Sequence, residues 1–314
     1  MKNRIGIFCM LVFALLGAQA QQAASSVAKQ VIEIVSGNLK LTLMVGSDNR
    51  LYQLGFGDAE KKILLPSVLP SREQEFLPPY GNGVITESAI QATHTDGNTS
   101  TELHYVSHEE QSVSADVRQT VISLRDPAYN FFVDVYVKCY QSAGLMEIWN
   151  TIRHDERGGK VVLYRYASAS PLLKASSYWL TQFNGKYKRE ATLEEERLGE
   201  GIKILDSKLG VRANQFRIPS FILSYNHAAK ENEGEVFAAS LKWAGSFQLA
   251  FEVDWNKNLR VLTGINPIGS QYYLERGATF TTPAVLWTYS KKGKGETSRK
   301  FHRWTAEYAI RDAE

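Results

Sequence analysis

Phe131-Phe132-Val133-Asp134-Val135-Tyr136-Val137-Lys138-Cys139-Tyr140 alternates its side chains with a period of two. Phe131, Val133, Val135, Val137 and Cys139 fall on one side, and the polar Asp134 and Lys138 fall on the other. Successive side chains of a β-strand point to opposite faces, so this spacing predicts a strand with one face buried. Cys139 lies on the apolar side and reads as a small buried hydrophobe rather than a nucleophile.

The same signature recurs in both directions. Residues 31–35, 39–45 and 51–56 alternate in the same way and are separated by Ser36-Gly37-Asn38 and Gly46-Ser47-Asp48-Asn49. Further strand-like runs occupy 102–106, 117–124, 145–152, 161–169, 221–225, 236–241, 247–253, 260–265 and 279–289. Asp254-Trp255-Asn256-Lys257-Asn258 reads as the turn of a hairpin. Short strands at near-regular spacing, with turn residues between them, predict an all-β antiparallel sandwich over residues 21–290.

Only the C-terminal stretch changes period. Phe301, Trp304 and Tyr308 stand at i, i+3 and i+7, a helical stripe, after the basic and glycine-rich residues 291–295. Residues 291–314 therefore read as a flexible basic linker leading into a helix. So much aromatic surface needs cover, either from the chain's own sheet or from a following domain.

The other end is a targeting segment. Lys2 and Arg4 precede an apolar run at 5–16, and Ala18-Gln19-Ala20 supplies small residues at a cleavage point. The run is shorter than the roughly 20 residues of a membrane span. Residues 1–20 are thus expected to be a signal peptide and the mature chain to be periplasmic or secreted, with no membrane attachment after cleavage. Cys9 lies inside the apolar run, away from the cleavage point, which speaks against a lipid anchor there. Loss of Lys2 and Arg4 brings a net charge of +3 close to neutral, which argues against a nucleic-acid partner. Cys139 is then the one cysteine left, so a large core must supply the stability that a disulfide cannot.

No constellation for catalysis emerges from the residues themselves. The histidines His94, His104, His108, His154, His227 and His302 show no metal-ligand spacing with cysteine or glutamate, and no cofactor motif is present. His104 and His108 would share a strand face about 13 Å apart, too far for one metal ion. Glycoside hydrolysis needs two carboxyl groups about 5–5.5 Å apart in a retaining site. Glu194-Glu195-Glu196 reads instead as a solvated charge run in a loop. Trp179, Phe183, Tyr187, Trp243, Trp255 and Trp287 could stack on a sugar ring, although aromatics of a sandwich more often belong to its core.

Five short motifs carry a family resemblance. They are Trp179-Leu180-Thr181-Gln182-Phe183-Asn184-Gly185-Lys186-Tyr187-Lys188-Arg189-Glu190, Gly234-Glu235-Val236-Phe237-Ala238-Ala239-Ser240-Leu241 with Gly245-Ser246-Phe247, and Gly264-Ile265-Asn266-Pro267. Leu274-Glu275-Arg276-Gly277 with Phe280-Thr281-Thr282-Pro283, and Ser298-Arg299-Lys300-Phe301-His302-Arg303, follow in order. From about residue 38 onward the chain resembles the N-terminal domain of the glycoside hydrolase family 36 α-galactosidases. The first motif looks like a loop of that family.

That resemblance implies a galactose mutarotase-like β-supersandwich, a C-terminal linker helix and then a catalytic (β/α)8 barrel that is absent from this sequence. The family's two catalytic aspartates belong to the barrel, so no catalytic residue carries over. A catalytic barrel would be the partner, with Phe301, Trp304 and Tyr308 at the interface. α-Galactosides would be handled by the complete enzyme, and a homo-oligomer is a further implied partner. In the family, loops of this domain pack at the barrel and, in oligomers, can wall a neighbour's sugar pocket, which singles out Phe76-Leu77-Pro78-Pro79-Tyr80-Gly81-Asn82-Gly83, with Tyr80 and Asn82 as the substrate-binding candidates. Val84-Ile85-Thr86 departs from the acidic and then aromatic or basic residues that often follow this loop. The domain is accordingly expected to be non-catalytic. The alternatives are a stand-alone carbohydrate-binding module and a mutarotase-like enzyme. Against the latter, Asn226-His227 continues as Ala228-Ala229-Lys230, not as the mutarotase Asn-His-x-Tyr-Phe-Asn-Leu.

Overall fold

The computed structural model describes residues 27–310; the expected signal segment, residues 1–20, lies outside them. The first strands are β1 (Ala28–Ser36), β2 (Leu39–Gly46), β3 (Leu51–Asp58), β4 (Ile90–Thr93), β5 (His104–Ser112) and β6 (Val117–Arg125). They are followed by β7 (Phe131–Tyr140), β8 (Leu145–His154), β9 (Val161–Tyr166), β10 (Leu172–Lys174), β11 (Tyr178–Lys186), β12 (Arg189–Arg197) and β13 (Gly201–Ser207). The last are β14 (Arg217–Tyr225), β15 (Val236–Leu241), β16 (Phe247–Val253), β17 (Asn258–Ile265), β18 (Tyr272–Leu274), β19 (Thr279–Thr281) and β20 (Val285–Ser290). One α-helix, α1 (Gly293–Trp304), follows.

A ten-stranded sheet runs β12-β11-β14-β15-β20-β8-β7-β6-β5, with β19 also paired to β8. Against it lie three smaller sheets, β1-β2-β3, β10-β17-β16-β13 and β18-β9-β4. The strand pairings are antiparallel. The predicted alternation of β7 is met: Phe131, Val133, Val135, Val137 and Cys139 are all within 2% of full burial. Burying a large apolar side chain of this kind is worth about 1.5–3 kcal/mol. The inner faces of all four sheets feed one continuous core. Its centre is aromatic, with Phe221 edge-on to Trp287 at 5.6 Å and Phe56 against Phe237 at 5.2 Å.

Several readings of the sequence are corrected. Residues 179–190, likened to a loop, form most of the β11–β12 hairpin, in which Trp179 faces Arg197 and Phe183 faces Leu193. Glu194, Glu195 and Glu196 stand in β12, an edge strand whose residues are almost all exposed. The run at 279–289 is split at Thr282-Pro283-Ala284, so that β19 and β20 bond to β8 in two separate registers. His104 and His108 do not share a face, because a bulge between Tyr105 and Ser107 shifts the alternation. His104 thereby pairs with Arg125 and His108 with Ile122.

The stretch 291–295, read as flexible, is pinned. Gly293 has φ +73° and donates its N–H to Gly234 O at 2.9 Å; a Cβ there would lie 2.5 Å from Glu233 N. Helix α1 then lies on the outer face of the large sheet. Trp304 is 6% exposed among Val117, Tyr140, Ala143, Leu145 and Leu286, with Phe301 and Tyr308 packed alongside. The aromatic stripe is therefore covered by the chain's own sheet. Lys300, half-way along the helix, donates to Tyr289 O at 2.8 Å and also to Asn38 Oδ1.

Candidate functional site

The loop at 71–83 begins with the 3₁₀ turn Arg72–Gln74, driven by Ser71 and Arg72 carbonyls that accept from Gln74 and Glu75. Pro78 and Pro79 remove donors and hold an extended path. That path is stitched to its neighbours: Phe76 N–H donates to Leu51 O at 2.9 Å, Tyr80 N–H to Ile90 O at 2.8 Å and Ala89 N–H to Pro78 O at 2.7 Å. Phe76 and Leu77 drop into the core. Gly81 has φ +87°, and a Cβ there would meet Ser100 Cα at 2.6 Å.

The two candidate residues of this loop part company. Tyr80 is 46% exposed, whereas Asn82 is only 2% exposed. Asn82 Oδ1 accepts from Val84 N–H at 3.3 Å, and its amide stands by the Glu75 carboxyl. Asn82 is thus built into the underside of the loop, and the polar group expected to meet a sugar is turned inward. Sequence reasoning could not see this, because an asparagine between two glycines reads as surface.

Beneath the loop lies a cluster of charges in which Arg50, Glu75 and Arg260 are buried and Asp48, Arg72 and Glu102 are partly exposed. Arg50 Nε is 3.5 Å from Glu75 Oε1, and its other nitrogens reach Glu102 at 2.7 Å and Asp48 at 3.2 Å. Arg72 donates to Asn82 O and lies 3.5 Å from Glu102. Arg260, from β17, donates to Ser170 O at 2.7 Å, Glu75 O at 3.2 Å and Glu73 O. Burial pushes the Glu75 carboxyl up to about 7 against the opposing field of Arg50, and lowers the Arg260 guanidinium to about 10. A carboxyl that titrates near neutrality often marks a general acid. Glu75, however, is 3% exposed, covered by the very loop it supports. Arg260 left one mark in the sequence: a charged residue between the apolar Leu259 and Val261 of a core strand.

A second relay is equally enclosed. His94 Nδ1 lies 2.8 Å from Glu156 Oε1, His94 Nε2 lies 3.0 Å from Thr101 Oγ1, and Tyr129 stacks on the imidazole at 3.7 Å. With Nδ1–H donated to the carboxylate, Nε2 accepts the threonine proton, an order also found in nucleophilic triads. Thr101 is 1% exposed, so the trio staples Thr95 and the 94–101 turn to Glu156. Among the described residues there is no group of three or more His, Cys, Asp or Glu able to hold a metal ion.

The aromatics divide as well. Trp287 is core, Trp179 and Phe183 are half-buried, and Tyr187 at the β11–β12 tip is 85% exposed. Trp255 is 74% exposed in the predicted β16–β17 turn, which Asp254 closes by accepting Asn258 N–H at 2.7 Å. Asn226 and His227 lie exposed in a turn after β14. The loop therefore presents the Tyr80 ring outward and keeps Asn82 and Glu75 enclosed beneath it.

Residues 43–275 match the family model described as the Glycosyl hydrolase family 36 N-terminal domain. Alpha-galactosidase AgaA of Geobacillus stearothermophilus is 29% identical over 270 residues, which cover 77% of this chain and 35% of that protein. Alpha-galactosidase C of Emericella nidulans is 27% identical over 257 residues, covering 77% and 34% respectively. In three dimensions, the GH36 alpha-galactosidase AgaB from Geobacillus stearothermophilus aligns with a TM-score of 0.83 at 22% identity, over 90% of this chain and 44% of that one. At that identity the likeness is one of fold. The chain spans about a third of the length of the curated relatives it matches.

Proposed function

The chain belongs to the family of glycosyl hydrolase family 36 N-terminal domains, and from that premise we propose that it serves as the non-catalytic β domain of an exported α-galactosidase-like hydrolase. In this reading it packs on a catalytic barrel and helps shape that barrel's sugar pocket or its oligomer. The match over residues 43–275 carries the reading. The loop at 71–83 supports it, since main-chain bonds to Ile90 and Thr101 fix Tyr80 while its ring stays exposed, which leaves little further entropic cost on docking. The basic, apolar and small residues of the first twenty positions support export.

Chemistry enters by exclusion. Hydrolysis of a glycoside requires a carboxyl pair open to the sugar; of the two carboxyls that burial pushes up among the described residues, Glu75 is sealed under its loop and Glu252 is engaged by the Glu87 N–H at 2.7 Å. The isolated chain is expected to give no turnover of an aryl α-galactoside. It is expected to form a stable complex with a family 36 catalytic barrel stripped of its own N-terminal domain, seen by size-exclusion chromatography. Robust hydrolysis by the clean chain, abolished by a point substitution within it, would overturn the proposal.

A further inference from the structure

Four loops meet at the end of the sandwich where the β11–β12 hairpin turns. They are that turn, residues 208–217 between β13 and β14, the β15–β16 turn, and residues 266–271 after β17. Hydrogen bonds join them into one pole. Gly185 N–H donates to Phe216 O at 2.7 Å, and Gly210 N–H to Ser246 Oγ at 3.1 Å. Asn266 donates its N–H to Ser246 O at 3.1 Å and its Nδ2 to Ser207 O at 3.2 Å.

Apolar side chains gather at this pole without cover. Val211 is 95% exposed and Tyr187 85%, and Leu209, Phe216, Trp243 and Ile268 are exposed as well. Large apolar groups concentrated on one surface mark a contact with a protein or a membrane. Charge separates the two. Five of the six have a basic neighbour in sequence: Lys186 and Lys188 flank Tyr187, and Lys208, Arg212, Arg217 and Lys242 adjoin Leu209, Val211, Phe216 and Trp243. Lys242 pairs with Glu147 at 2.6 Å, and Lys208 and Arg217 share Asp206. Lys186, Lys188, Arg189 and Arg212 are exposed and have no ion pair among the described residues; the exposed Glu190 stands against them. The apolar groups sit on separate turns, not on a flat sheet or helix face, so each can enter a soft surface independently. Apolar tips with cations beside them suit an anionic bilayer, where the tips reach the acyl boundary and the cations stay among the headgroups.

We propose that this pole docks reversibly on an anionic lipid surface, with Val211 and Tyr187 entering the apolar boundary and Lys186, Lys188, Arg189 and Arg212 meeting the headgroups. The contact is peripheral, since no helix among the described residues is long and apolar enough to cross a membrane. It uses neither the loop at 71–83 nor a barrel, so it stands or falls separately from the docking role. The test is co-sedimentation of the chain from Gln21 onward, which removes the apolar run at 5–16 from the assay. The probes are vesicles of phosphatidylcholine alone and of phosphatidylcholine with about one third phosphatidylglycerol. The chain should sediment with the mixed vesicles only, and roughly 0.5 M salt should release it. Lys186→Gln should weaken the partition about fivefold and Val211→Ser about tenfold. Both side chains are exposed, so neither variant should change the melting temperature. Three outcomes would overturn the assignment: sedimentation with neither vesicle, equal sedimentation with both, or anionic binding that neither variant moves.

Discussion

Arg260 Nη1 donates to the main-chain oxygen of Glu75 at 3.2 Å, joining residues 185 positions apart in the chain. The same guanidinium holds Ser170 and Glu73, so one buried side chain from β17 anchors the start of the exposed loop and the approach to β10 together. It does so at 1% exposure through its two terminal nitrogens, while Nε has no partner among the described residues.

Arg260→Met should therefore cost about 3–5 kcal/mol, since it strands several buried carbonyls at once. Arg260→Lys should recover less than half of that, because a point ammonium cannot reach acceptors fanned around a planar fork. Urea denaturation followed by tryptophan fluorescence measures both; a Met variant with an unchanged midpoint would contradict the anchor.

Stability should depend on pH through Glu75. The folded carboxyl titrates at about 7, whereas an unfolded glutamate titrates near 4.3. Between those values the folded chain holds the extra proton. The contribution is therefore complete below about pH 4.3 and is lost as pH rises through about 7. Glu75→Gln keeps the shape of the protonated group and should flatten this trend. The gap in denaturation midpoint between the two proteins is expected to shift between pH 5 and pH 8 in the variant's favour; parallel curves would refute the assignment.

Gly81→Ala tests the loop itself. Its φ of +87° penalises any Cβ, and here the added carbon would also meet the Ser100 backbone at 2.6 Å. A loss of about 1–3 kcal/mol is expected. Gly83 has φ +83° but open space around it, so Gly83→Ala should cost less. Equal melting temperatures for the two variants would argue against the collision.

Cys139 is 2% exposed, and burial pushes its thiol up to about 12. In a Cys9→Ser background, a thiol reagent should label the native chain only at the rate of opening and the urea-unfolded chain at once. Rapid stoichiometric labelling without denaturant would place Cys139 at the surface.

What the sequence revealed depended on one-sided burial. β7 was legible because its inner face is apolar and its outer face carries Asp134 and Lys138. The Phe301, Trp304 and Tyr308 stripe was legible for the same reason, although periodicity alone left open that Tyr140 and Leu286 of the same chain would cover it. β12 was not legible: an edge strand exposed on both faces has no apolar period, and its glutamates looked like a loop. Histidine spacing misled because one bulge residue reverses every face after it. Asn82, Glu75 and Arg260 needed contacts across long separations, which no local pattern encodes.

The outermost strands of the large sheet carry like charge in rows, with Glu109 and Glu110 on β5 and Glu194, Glu195 and Glu196 on β12. Two copies meeting rim to rim would set such rows about 4.8 Å apart. Growth by addition of further strands at either rim is thereby discouraged, most of all at Glu109 and Glu194, which have no ion pair among the described residues.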